Sequence, residues 1–127
     1  MVVIRSHDAL FRFVFGEPEQ MGELLRGSLP ASLARAIDWA ALRRVDRTFV
    51  DAELQERHAD LLFETRIGER QLLLFVLVEH KSGADRLTAF QLLRYVVRVH
   101  DGWLKDNPNA NALPPVLPFV MHHGDTR

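Results

Sequence analysis

The chain contains one long, uninterrupted apolar segment that ends directly in charged residues. Residues 72–78 are seven consecutive apolar residues, most of them branched, and Glu79, His80 and Lys81 follow them. An apolar run of this length predicts a β-strand that is buried on both faces, in the middle of a sheet. Because side chains alternate across a strand, we expect Glu79 and Lys81 on one face and His80 on the other.

A second strand-like run, residues 59–67, precedes this segment, and a turn signal at 68–70 separates the two. The two runs predict a β-hairpin. A hairpin that closes between the last two turn residues places Asp60 directly opposite Glu79. Two carboxylates in directly opposed positions repel each other unless a cation lies between them. The hairpin therefore predicts a divalent-metal site with Lys81 at its edge.

The rest of the chain predicts helices before the hairpin and a helix followed by a strand after it. We expect an extended segment at 1–8, short helices at 9–15, 19–26 and 31–37, a first strand at 48–54, a long helix at 83–105 and a last strand at 114–124. A strand that follows a crossover helix is expected to run parallel to the strand before it. The prediction is a single mixed α/β domain over 1–127, with a helical part at 1–47 and a β-meander at 48–82.

The predicted long helix carries two sets of residues. Its apolar residues recur mostly at intervals of three or four, which is typical of an amphipathic helix: Leu87, Phe90, Leu93, Val97 and Leu104. Gln91 and Tyr95 are four residues apart and form a polar seam. Residues 82–85 offer side chains that can cap the helix. Because the helix begins soon after the buried strand, we expect its first turns to lie over the end of the sheet where Glu79 and Lys81 emerge.

Composition and charge limit the functional classes. With 127 residues, 47% of them apolar, the chain fits one domain with a substantial core. Sixteen basic and seventeen acidic residues leave a formal charge of -1, so a site for a polyanion must be local. The cluster Arg43, Arg44 and Arg47 is either a solvated loop or a phosphate contact.

The chain has no cysteine, which excludes disulfides and thiolate chemistry and fits a reducing compartment. Its longest apolar run is too short to span a bilayer, and its first residues lack the pattern of a signal peptide. We therefore expect a soluble, cytoplasmic protein.

Asp60, the Glu79-x-Lys81 motif and a following helix with Gln91, in the order αβββαβ, resemble the PD-(D/E)XK nuclease superfamily, which has a restriction-endonuclease-like core. More narrowly, residues 7–11, 78–82, 92–95, 114–118 and 123–124 look like the Rpn family. This is the YhgA-like group of transposases, also called recombination-promoting nucleases. The resemblance covers nearly the whole chain. It implies a metal-dependent DNA endonuclease that promotes recombination, with DNA as its partner. A homodimer fits such an enzyme, because cutting both strands needs two active sites or two visits to the DNA.

The resemblance also implies roles for individual residues. Asp60 and Glu79 are expected to bind Mg²⁺ or Mn²⁺ together with the backbone carbonyl of His80, since Mg²⁺ prefers oxygen ligands. Lys81 is expected to orient or activate the attacking water and to stabilise charge on the phosphate. Gln91 is expected to position that water, the Lys81 amine or the scissile phosphate. Family members often have Gln in place of Lys81, so the lysine here favours activity.

Each of these roles has a structural alternative. Glu79 and Lys81 also fit a surface ion pair, worth less than about 1 kcal/mol. Gln91 also fits a hydrogen bond to backbone in a helix interface. Tyr95 and Trp103 fit core or half-buried rings better than platforms for stacked bases. Three further acidic residues fit a helix cap or solvated strand positions better than metal ligands: Asp8, Asp51 and Glu53.

The six histidines show no helical metal-ligand spacing, so we do not expect a zinc site. Family members usually continue past the last strand, and the resemblance therefore implies a chain that ends early. Two alternatives to the endonuclease remain: a catalytically inactive nucleic-acid-binding or protein-interaction module on the same scaffold, and an inactive remnant.

Overall fold

A five-stranded mixed sheet with helices on both faces forms the structure, a computed structural model that describes residues 2–6, 18–45, 58–79 and 87–123. Side chains are described within 18–45, 61–77 and 87–121. The elements are β1 (Val2–Ser6), α1 (Pro18–Gly27), α2 (Ala31–Ala36), a short 3-10 helix (Trp39–Ala41), β2 (Arg43–Val45), β3 (His58–Ile67), β4 (Arg70–Glu79), α3 (Thr88–Asp106) and β5 (Val116–His123). The strand order is β1-β5-β4-β3-β2.

Strand β4 lies in the centre of the sheet, as its apolar run predicts. Residues 72–77 are all buried, none more than 4% exposed. Their side chains alternate between two cores: Leu72, Leu74 and Val76 pack with α1 and α2, whereas Leu73, Phe75 and Leu77 pack with α3. Because the sheet is covered on both sides, β4 needs apolar residues at every position. Two of the short helices predicted before the hairpin, at 19–26 and 31–37, are present as α1 and α2 and cover one sheet face.

The connections explain the mixed character of the sheet. β2, β3 and β4 are antiparallel neighbours, and β5 runs parallel to β4 after the crossover through α3, as predicted. β1 lies parallel to β5 at the edge, so the segment that the sequence shows only as extended adds a strand. The pairing with β1 begins at Phe119, directly after Pro118, which lacks a backbone donor. The predicted restriction-endonuclease-like arrangement is confirmed.

Two features differ from the predictions. α3 begins at Thr88 rather than at residue 83, and its N-cap residue is Leu87. Arg43–Val45, in a segment for which no element is predicted, forms β2. The capping residues predicted at 82–85 lie outside the described residues. The predicted helix at 9–15 and the predicted strand at 48–54 lie outside the described residues. None of the helices in the described ranges has the length and apolar character needed to cross a membrane.

Candidate functional site

The register of the β3–β4 hairpin decides how the two predicted metal ligands are placed. Asp60 pairs with Leu77, and Glu79 pairs with His58. The prediction that Asp60 and Glu79 are directly opposed is therefore wrong by two residues. The reason is the turn, which is centred between Gly68 and Glu69, one residue earlier than predicted.

Asp60 and Glu79 nevertheless occupy positions on the same face of the sheet. Asp60 shares a face with its partner Leu77, and Glu79 lies two residues beyond Leu77 on β4. A shift of two residues keeps the face, whereas a shift of one would reverse it. The two acidic positions are thus diagonal neighbours on adjacent strands, about 7–8 Å apart. That spacing suits two carboxylates that share one cation, since Mg²⁺ lies about 2 Å from each ligand oxygen.

Two histidines flank Glu79 in the sheet, and the sequence reasoning missed both. His58 on β3 and His122 on β5 are the residues paired with Glu79 on its two sides. Because paired residues share a face, His58, Glu79 and His122 form a row of positions across three strands, next to Asp60. The three row residues are far apart in sequence, so spacing along the chain gives no signal of the row. The alternation of β5 assigns His123 to the opposite face.

The orientation of α3 brings Gln91 to the same end of the sheet. Near the C-terminal end of α3, the indole Nε1 of Trp103 donates to Oε1 of Gln71, at the start of β4, over 3.0 Å. Two turns before Trp103, the centroids of the Tyr95 and Phe75 rings lie 5.3 Å apart. α3 therefore runs antiparallel to β4. Gln91 precedes Tyr95 by about one turn and so lies towards the Leu77 end, where the acidic positions are.

The Gln91 side chain is a polar group that lies among the buried residues of α3. It is buried, with 9% of its surface exposed, and its Oε1 atom has no hydrogen-bond partner within the described part of the chain. Among those residues Oε1 accepts no hydrogen bond from backbone, so the oxygen of the amide does not fill the alternative role of a hydrogen bond to backbone. A buried acceptor without a donor costs about 1–3 kcal/mol. An acceptor of this kind fits a donor such as a water molecule or an amine, as the predicted positioning role requires.

Several predicted residues cannot be placed. His80 and Lys81 lie outside the described residues, as do Asp8, Arg47, Asp51 and Glu53. Within the side chains that are described, no three His, Cys, Asp or Glu residues lie close enough to hold a metal ion. The candidate site therefore rests on the backbone register of β3, β4 and β5 and on Gln91.

The opposite end of the hairpin carries a different polar group of residues. Arg43 forms an ion pair with Glu64, and Gln71 Nε2 donates to Glu64 Oε2 over 2.9 Å. Arg43 thus lies in a strand rather than in the predicted loop, and it is solvated as predicted, with 71% of its side chain exposed. Tyr95 is fully buried and Trp103 is half-buried, which confirms that these rings belong to the core.

The chain is similar in sequence to a described protein family and to curated proteins. The sequence profile of a family described as "Putative transposase, YhgA-like" matches residues 5–127. The chain is 29% identical to the recombination-promoting nuclease RpnA of Escherichia coli K12 over 93% of the chain and 40% of RpnA. It is 30% identical to the recombination-promoting nuclease RpnD of Escherichia coli O157:H7 over 93% of the chain and 45% of RpnD.

A shorter relative carries a different name. The "putative inactive recombination-promoting nuclease-like protein YjiP" of Escherichia coli K12 is 32% identical over 73% of the chain and 90% of YjiP. No solved structure matches the chain significantly. The chain spans less than half the length of RpnA and RpnD. The match over almost the whole sequence shows that the chain belongs to the YhgA-like transposase family, which includes the recombination-promoting nucleases.

Proposed function

We propose that this chain is a metal-dependent DNA endonuclease domain of the recombination-promoting type, in which Asp60 and Glu79 bind Mg²⁺ or Mn²⁺. The observation that carries the proposal is the strand register, which assigns both acidic positions to one sheet face as diagonal neighbours. The names of RpnA and RpnD support a nuclease, although each is more than twice as long as the matched region.

Each residue of the proposed site has a distinct task. Asp60 and Glu79 supply carboxylate oxygens, and the backbone carbonyl of His80 supplies a third ligand. An ion held by these oxygens would supply positive charge near the phosphate and would lower the pKa of a bound water molecule. Lys81, two residues after Glu79, orients that water and adds positive charge. Gln91 accepts a hydrogen bond at Oε1 from the water or from the Lys81 amine, which gives its buried oxygen a donor.

Plasmid cleavage tests this proposal. Purified protein with supercoiled DNA and Mg²⁺ is expected to nick or cut the plasmid, and Asp60→Asn or Glu79→Gln is expected to slow cleavage roughly a hundredfold or more. Glu69→Gln is the matched control, because Glu69 is an exposed carboxylate in the turn at the other end of the same hairpin. Equal cleavage by the wild-type and Asp60→Asn proteins would contradict the assignment.

The second candidate is a scaffold without catalytic activity, which the similarity to YjiP favours. Such a protein would bind DNA or another protein through the same fold. Calorimetry distinguishes the two: the endonuclease is expected to release or absorb heat on titration with Mn²⁺, and this heat is lost in Asp60→Asn. DNA binding without metal binding or cleavage in the wild-type protein would support the inactive scaffold.

A further inference from the structure

The outer face of α3 is apolar although it points away from the sheet. Phe90, Leu93 and Val97 are 56%, 60% and 52% exposed, and Leu104 is 38% exposed. We call these four residues the outer stripe. The inner face of the helix is already filled, since Leu92, Tyr95 and Val99 pack on β4 and β5. Contiguous apolar patches of this kind on a protein surface usually mark an interaction site.

The spacing of the outer stripe is that of a helix–helix seam. Successive members are separated by three, four and seven residues, and His100 divides the last interval into three and four. Apolar residues that alternate at three and four form the contact line of a coiled coil. His100 Nε2 lies 2.9 Å from the carbonyl oxygen of Pro114, so the loop after α3 contacts the helix at this position. The partner that fits such a line is another amphipathic helix.

The charged residues beside the outer stripe favour a second copy of this chain as the partner. In an antiparallel pair of identical α3 helices, Leu93 faces the partner subunit's Leu104 and Val97 faces the partner subunit's His100. The same register places Arg94 next to the partner subunit's Asp101, and a two-fold axis repeats this ion pair. A parallel pair would instead place Arg94 beside Ala89 of the partner subunit, which carries no charge. The face is therefore complementary to itself in the antiparallel direction.

From this self-complementarity we infer that a second copy of the chain docks on the outer stripe of α3, with the two helices antiparallel. The helix predicted at 9–15 is too short to be the occupant. At 1.5 Å per residue it spans about 10 Å, whereas the stripe from Phe90 to Leu104 extends about 21 Å. The inference rests on the surface of α3 and does not depend on the nuclease proposal.

Sedimentation velocity over a range of protein concentrations tests the association. The wild-type protein is expected to form a dimer, and Leu93→Glu with Val97→Glu is expected to weaken self-association at least tenfold. Ala31→Glu is the control, since it adds a negative charge at an exposed position of α2 on the other side of the sheet. Circular dichroism of each variant shows whether the fold is retained. A wild-type protein that remains monomeric at all concentrations would overturn the inference.

Charge exchange and cross-linking test the direction of the pair. Arg94→Asp and Asp101→Arg are each expected to weaken the dimer, and the double variant is expected to restore it. The chain has no cysteine, so introduced cysteines report without background. Leu93→Cys together with Leu104→Cys is expected to give a disulfide-linked dimer under mild oxidation, and Leu93→Cys alone is not. Efficient linkage by Leu93→Cys alone would indicate a parallel pair and overturn the antiparallel one.

Discussion

At the scale of single residues, Gln91 is the described side chain that is hardest to explain by stability alone. Its Oε1 atom is buried without a hydrogen-bond donor in the described part of the structure. An apolar side chain of similar length would avoid the cost of that buried acceptor. A polar side chain at position 91 is what a positioning role for water or an amine requires.

The prediction for Gln91 is opposite changes in stability and activity. Gln91→Met keeps the length of the side chain and removes the buried acceptor, so the free energy of unfolding is expected to stay equal or to rise by about 1 kcal/mol. Cleavage is expected to fall at least tenfold if the oxygen positions a reacting group. Urea denaturation and plasmid cleavage on the same sample measure both quantities. A variant that loses stability but keeps full activity would show a purely structural glutamine.

The two histidines paired with Glu79 give a second prediction at this scale. Groups that neighbour metal ligands typically change metal affinity or activity by 10–100-fold when removed. His58→Ala and His122→Ala are therefore expected to lower cleavage roughly tenfold and to raise the Mn²⁺ concentration needed for half-maximal activity. His123→Ala is the matched control, since its position belongs to the opposite face. Equal effects of His122→Ala and His123→Ala would argue against the row.

At the scale of elements, the turn between β3 and β4 controls the site through its register. Gly68 has a positive φ of 62°, and no non-glycine residue in the described ranges does. Glycine at this place in a two-residue turn is typical of hairpins, because other residues adopt positive φ at a cost. The conformation of one residue thus fixes which residue lies opposite Glu79.

Two glycine substitutions separate this conformational demand from ordinary glycine flexibility. Gly68→Ala is expected to lower the free energy of unfolding by about 1 kcal/mol, because alanine is strained at positive φ. Gly27→Ala, at the exposed end of α1 where an added Cβ meets nothing within 4 Å, is expected to raise it by about 0.5 kcal/mol. Denaturant unfolding measures both. A loss of stability in both variants would mean that Gly68 has no special conformational role.

At the scale of the whole molecule, a chain of side-chain contacts attaches α3 to the sheet at the end away from the candidate site. Trp103 donates to Gln71, Gln71 donates to Glu64, and Glu64 pairs with Arg43. These contacts join α3, β4, β3 and β2 in succession. They attach the C-terminal end of α3 to the sheet, about three turns from Gln91.

A double-mutant cycle tests this attachment. Trp103→Phe and Gln71→Leu are each expected to lower the free energy of unfolding by about 1 kcal/mol, with the double variant less destabilised than the sum, since both remove the same hydrogen bond. Thermal or urea unfolding of the four proteins gives the coupling. Strict additivity would show that the Trp103–Gln71 bond contributes nothing to the docking of α3.

The sequence predicts much of the fold because local patterns suffice for it. The central position of β4 follows from a run that is apolar on both faces, and the parallel β5 follows from the handedness and reach of a crossover helix. The sequence also predicts that α3 is a helix. It does not show which side of the helix packs on the sheet. The apolar residues that predicted the helix, among them Phe90, Leu93 and Val97, are exposed, whereas Tyr95 is buried. A helix that is apolar on several sides does not specify which side packs.

By itself, the sequence therefore determined the elements, their order and the pairing of β3 with β4, because hydrophobic periodicity and turn residues act over short distances. The tertiary structure decided the register at Gly68, the row that joins Glu79 to His58 and His122, and the face of α3 that is buried. These depend on the conformation of one turn and on contacts between segments distant in the chain. No local pattern encodes such contacts, because only the packed sheet brings the segments together.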